Sequence, residues 1–176
     1  MNMKKYFELS MMNLLERKSI DEITVNELIE EVGSCKGTFY KHYVDKYDLC
    51  CKCLKNNVYN QISFDVLNWE EFMIQCLNVF EKYSNVVMHA FDSVDINSTR
   101  HFHEQSVTKL LENIIKANGG DATCELNKYS LQFCGVAITD ITYKWIKDGR
   151  KESKESVLKL LRAVMPQSIY KQVYAI

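Results

Sequence analysis

Residues 24–49 read TVNELIEEVGSCKGTFYKHYVDKYDL, two short helical patterns on either side of a glycine. Thr24 stands at the N-cap of the first, and Glu27 three residues on fits a capping box, in which each side chain satisfies a free backbone N–H of the other. Ile23 and Leu28 suit the accompanying hydrophobic staple. Val25, Leu28, Ile29 and Val32 follow helical spacing toward a core, and Gly33 is the residue that tolerates positive φ where a helix must stop. A second helix is then expected to start within about three residues and to run over roughly residues 36–43. Lys36, Thr38, Tyr40, Lys41 and His42 give it hydrogen-bonding groups, while Phe39 and Tyr43 anchor it. Between residues 34 and 47, Lys36, Lys41 and Lys46 face only Asp45 in a chain whose net charge is −1. An outer face so built suits a polyanion. In a helix-turn-helix the second helix enters the DNA major groove, where early side chains meet base edges while lysines and hydroxyls bind phosphates.

TVNELIEEVG, KGTFYKHY and DKYDL together resemble the DNA-binding domain of the TetR/AcrR family of bacterial transcriptional regulators. Thr24, Gly33, Lys36, Gly37, Thr38, Phe39, Tyr40, Tyr43, Lys46, Asp48 and Leu49 fall in register with that pattern. The resemblance covers about the first quarter of the chain by motif and the rest only by architecture. It implies a double-stranded DNA partner contacted by Thr24, Lys36, Gly37, Thr38, Tyr40, Lys41, His42 and Lys46, the last meeting a phosphate. One departure is visible: the family has a small apolar residue and then Ser or Thr after the glycine, where this chain has Ser34 and Cys35. Cysteine caps a helix poorly, so the second helix is either started less firmly or capped one residue early by Ser34.

A chain of 176 residues that is 47% hydrophobic can bury a substantial core, divided between a small head and a larger body. One proline and six glycines leave long uninterrupted stretches with little strand-like alternation, so the fold expected is all-α. An N-terminal three-helix head over residues 1–46 precedes a helical ligand-binding and dimerisation body over 47–176. MNMKKYFELS runs straight into an amphipathic helix rather than a signal peptide, and no apolar run approaches the ~20 residues of a membrane span. A cytoplasmic protein without membrane contact is expected, in which seven cysteines are reduced thiols.

Ahead of the motif, Met3, Phe7, Met11, Leu14 and Leu15 make residues 3–18 a first helix with one buried stripe. After it, Asp45 caps a fourth helix. The body reads as a helix from Asn68, a shorter one over residues 86–91, one over 99–117 stopped by Gly119-Gly120, a long one over 123–147, and a last from Ser153 to Pro166. A single head reads one half-site, so reading an inverted repeat needs two heads at fixed spacing. The family resemblance implies a homodimer through the last two long helices, here about residues 126–146 and 157–164.

The resemblance also implies release from DNA by a small-molecule effector bound in the body. An apolar pocket with a few placed polar groups is expected, with Trp69, Phe72, Met73, Cys76, Phe80, Met88, Phe91, Phe102 and Tyr129 as candidate lining. Two other means of control compete: oxidation of thiols near the head, at Cys35, Cys50, Cys51 and Cys53, and a partner protein. His101 and His103 lie two apart on a helix, hence on divergent faces, and read as solvated surface rather than metal ligands. No metal or cofactor is expected. Phosphate-cradling glycine loops, nucleophile elbows, HExxH and paired CxxC motifs are missing, which disfavours an enzyme.

Overall fold

The computed structural model describes residues 2–63 and 68–174, and the regular structure among them is entirely helical. The elements are α1 (Met3–Leu15), α2 (Val25–Val32), α3 (Lys36–Tyr40), α4 (Lys46–Asn57), a 3-10 turn (Tyr59–Gln61), α5 (Trp69–Lys82), α6 (Ser84–Phe91), α7 (Thr99–Ala117), α8 (Glu125–Lys147), α9 (Lys154–Val164) and α10 (Gln167–Val173). Caps and breakers account for most boundaries. Thr24, Asp45 and Ser153 each accept a backbone N–H at a helix start, and Gly33 ends α2 at φ 62°. The first helix stops at Leu15 rather than 18, and α3 stops at Tyr40 with Tyr43 in the turn beyond. Pro166 ends α9 as expected but also opens α10, which the sequence reading left out. Proline's missing N–H costs nothing at a helix start, and Ile169 and Val173 bury one face of that helix.

Two compact units emerge from the contacts. The first comprises the chain through Gln61 with Lys82–Phe102, and the second Ile62–Glu81 with the chain from His103 on. The 46/47 division divides roles, and it stands as a proposal beside this partition by contact.

In the first unit, α1 packs on α2 and α4 around Phe7, Met11, Leu28 and Leu49. Phe39 roots the short α3 there: its ring meets Phe7 edge-on at 5.4 Å and Tyr43 at 5.6 Å. α6 belongs to the same unit through two hydrogen bonds, Ile20 N–H to the His89 carbonyl at 3.0 Å and His89 Nδ1 with the Leu15 carbonyl at 2.7 Å.

In the second unit, α5 buries Trp69, Phe72, Met73, Cys76, Leu77 and Phe80. α8 crosses α7 at Gly135, where a Cβ would fall 2.6 Å from the Glu104 carbonyl oxygen and against Thr108 Oγ1. Only glycine permits so close an approach. His103 is fully buried with its ring 5.3 Å from Phe80, which corrects the expectation of solvated surface. Helix α7 turns this residue inward although Glu104 and Gln105 beyond it are polar. Burial holds its imidazole neutral by lowering the pKa to about 4.

Candidate DNA-binding face

Thr24 Oγ1 accepts the Glu27 N–H at 3.2 Å, so half of the capping box forms. The Glu27 carboxylate instead takes the Lys18 ammonium at 2.7 Å, which fastens α2 to the segment that follows α1. After Gly33, Ser34 N–H donates to the Ile29 carbonyl at 2.9 Å, closing α2. Cys35, not Ser34, is the N-cap of α3, and its side chain makes no capping bond. The helix starts on its backbone alone, with Thr38 and Phe39 N–H donating to the Cys35 carbonyl at 3.1 Å each.

Of the eight residues expected to meet DNA, Thr24, Lys36, Gly37, Tyr40 and Lys41 are exposed, while Thr38 and His42 are half-buried. Lys36 to His42 lie on α3 and its following turn, and Thr24 on the entry to α2. Buried Phe39 and Tyr43 hold this face from beneath. The Tyr43 hydroxyl donates to the Lys4 carbonyl at 3.4 Å, and desolvation pushes its pKa well up. A Cβ on Gly37 would meet nothing nearer than Cys35 Sγ at 4.0 Å, so the free protein leaves open space there.

Lys46 is placed differently. Its ammonium donates to the backbone carbonyls of Asp21 and Ile23, at 2.9 Å each. It is partly buried and engaged within the protein, whereas Lys36 and Lys41 project outward.

The residues proposed for a ligand are divided between the two units. Trp69, Phe72, Met73, Cys76 and Phe80 share α5 and are buried in the second unit. Met88, Phe91 and Phe102 lie in the first unit, where Phe102 meets Tyr59 at 6.0 Å. Tyr129 is 66% exposed on α8, on an outward face rather than in the interior.

That outward face falls within residues 126–146, the stretch for which the family resemblance implies a homodimer contact. Leu126 is 68% exposed and Phe133 57%, and with Tyr129 and Val136 they form a stripe at helical spacing. The opposite face of α8 buries Leu131, Cys134, Ile138 and Thr142. α8 is thus apolar on two faces, more than one core contact requires. Leu160 and Val164 extend the apolar surface on α9, and an open groove of about 410 Å³ runs between α8 and α9 past Ile141, Trp145, Val157 and Leu160.

The thiols also divide. Desolvation pushes Cys50 and Cys134 up to about 12 and raises Cys51, Cys53 and Cys76 as well. Cys35 alone is lowered, by its contact with Thr38 Oγ1 at 3.4 Å and by the α3 amides. No cluster of three or more metal-ligating side chains occurs among the described residues, and none of their helices is long and apolar enough to cross a membrane.

Comparison with known proteins agrees with this architecture. A family model of the TetR C-terminal type, described as "Transcriptional regulator C-terminal region", matches residues 67–167. A solved structure described as "Dihydroxyacetone kinase operon activator DhaS" superposes with a TM-score of 0.58 over 93% of this chain and 96% of that one. At 18% identity the likeness is one of fold. No curated protein sequence matches significantly.

Proposed function

The chain belongs to the TetR family of transcriptional regulators, and from that premise we propose that it binds an inverted-repeat operator as a homodimer and is released by a small-molecule effector. The observation that carries the reading is the face of α3. Lys36, Tyr40 and Lys41 point outward with Thr38 beside them, on a helix rooted by Phe39 and Tyr43. Gly37 adds to it, because its open side lets a phosphate backbone approach where a larger side chain would intrude.

Homodimerisation is supported by the α8 stripe and the α8–α9 groove, an exposed apolar surface larger than scattered single residues present. A second copy about a two-fold axis covers the same patch on both chains and sets the spacing between heads. The effector is read as apolar or amphipathic, recognised beside the α5 aromatic and methionine side chains. The protein acts in the cytoplasm and has no catalytic role.

For the sign of control we propose repression, by occupancy of the operator. DhaS is by name an operon activator; a reporter that rises rather than falls when this chain is present would give it that sign. Selection of bound duplexes from a random pool tests the whole reading. The expected product is an inverted repeat bound with steep salt dependence. Recovery of no enriched sequence contradicts it.

A second reading is favoured by Cys35, the one thiol that its surroundings shift toward thiolate and expose beside the DNA-reading residues. Oxidant then releases the operator directly, and Cys35→Ser abolishes the response while Cys51→Ser keeps it.

A further inference from the structure

In the second unit, polar side chains join the start of α9 to the end of α5 and the end of α9 to the start of α5, so the two helices run antiparallel. At the start of α9, Lys154 Nζ donates to Glu81 Oε2 and to Asn78 Oδ1, at 2.7 Å each. At its end, Arg162 Nη2 donates to Glu70 Oε1, and the same oxygen takes the Tyr174 hydroxyl at 2.6 Å. The spans match, because Lys154 to Arg162 and Glu70 to Asn78 each cover about 12 Å of helix at a rise of about 1.5 Å per residue. Apolar contact does less here, since Val157 and Leu161 are the buried residues of α9. Two apolar side chains one turn apart set how near a helix lies to its neighbours but leave it free to slide and roll. Ion pairs at both ends oppose both movements. Leu160 and Val164, on the outer side, are what α9 offers to a second copy.

We infer that Glu70 and Glu81, on α5, are positioning residues for dimerisation: they hold α9 in the register at which Leu160 and Val164 meet a second copy. The inference rests on the homodimer proposed above and adds to it two residues outside the contact surface. Neither carboxylate has to touch the partner chain. Water reaches both ion pairs, since the Glu81 side chain is 48% exposed and that of Arg162 42%. Each pair alone therefore contributes little to the fold. A two-fold dimer contains each pair twice, and both copies of α9 must be in register at once. A small loss at each pair is thus felt repeatedly in association, while the stability of the separated chain hardly changes.

Sedimentation equilibrium of the full chain measures the dimer dissociation constant, with circular dichroism to show each variant folded. Glu81→Lys sets two ammonium groups against each other and is expected to weaken the dimer about tenfold. Adding Lys154→Glu restores the pair with its charges exchanged, and this double variant is expected to return to within about twofold of wild type. The exchange suits both helix ends, since it puts a cation in the last turn of α5 and an anion in the first turn of α9. Glu71→Lys makes the same change of charge at an exposed position of α5 and is expected to leave the constant unchanged. Wild-type affinity in Glu81→Lys overturns the inference, as does a double variant no tighter than the single one, or an equal loss in Glu71→Lys. If Glu81→Lys does not fold, Glu70→Gln decides: association about threefold weaker is expected, and wild-type affinity overturns the inference. A wild-type chain that stays monomeric removes the homodimer reading itself and the inference with it. That failure appears in the wild-type run, so the two are distinguishable.

Discussion

Helix α3 and helix α8 use apolar residues in contrary ways. α3 has five residues and buries one of them, Phe39, leaving Lys36, Gly37 and Tyr40 exposed and Thr38 half-buried. α8 has 23 residues and is apolar on two sides, with Leu131, Cys134 and Ile138 turned inward and Leu126, Tyr129, Phe133 and Val136 turned outward. A helix as short as α3 has no stability of its own and exists because its neighbours hold it. A helix as long as α8 spans its unit and has a face to spare. The lesson is that an apolar residue on a short polar helix is an anchor, whereas one on a long helix serves either its own core or a partner.

The largest expected effect breaks or upholds that contrast directly. Phe39→Ala removes the root of α3 and should cost about 3–5 kcal/mol of unfolding free energy, at any protein concentration. Phe133→Glu should leave unfolding of the separated monomer within about 0.5 kcal/mol of wild type, yet abolish the dimer in sedimentation equilibrium. Denaturant titrations at low and high concentration separate the two. A Phe133→Glu chain that still dimerises breaks the comparison, because the outward face would then serve nothing.

His103 extends the comparison to pH. Its folded pKa of about 4 lies below the ordinary 6.5, so the unfolded chain binds the extra proton first. Stability should be complete above pH 6.5 and decline as pH falls toward 4, by roughly 3 kcal/mol for this group at the low end. His103→Gln should flatten that decline in denaturant titrations across pH 4 to 7. An unchanged slope would mean that this histidine is not held neutral by burial.

A smaller effect is expected at Gly135, the point where α8 has no spare face. Gly135→Ala puts a methyl against the Glu104 carbonyl and should cost about 1–3 kcal/mol, despite alanine's better helix propensity. Thermal unfolding would measure it, and a stabilised variant would show that α7 and α8 separate easily.

What was legible follows the same division. Thr24, Gly33 and Asp45 act through local backbone chemistry that needs no knowledge of distant residues, and each stands where its type predicts. The exposure of Lys36, Tyr40 and Lys41 around buried Phe39 was legible because polar side chains on so short a helix have no core to enter. Tyr129 was read as pocket lining because helical spacing says which residues share a face, not which way the face turns. The bonds of Lys46 to the carbonyls of residues 21 and 23 were not legible, because no spacing rule connects those residues to it. α10 was missed because proline's role in ending one helix hid its role in starting the next.

The central claim is that two copies, joined through α8 and α9, present two α3 faces to one inverted repeat. Titrating the selected repeat with the wild-type chain and with Tyr40→Ala, while measuring mass and affinity together, tests it most directly. The predicted result is two chains per repeat for the wild type, and at least about tenfold weaker binding for Tyr40→Ala with its fold and dimer intact. One chain per repeat, or a Tyr40→Ala isotherm that overlays the wild type, would contradict it.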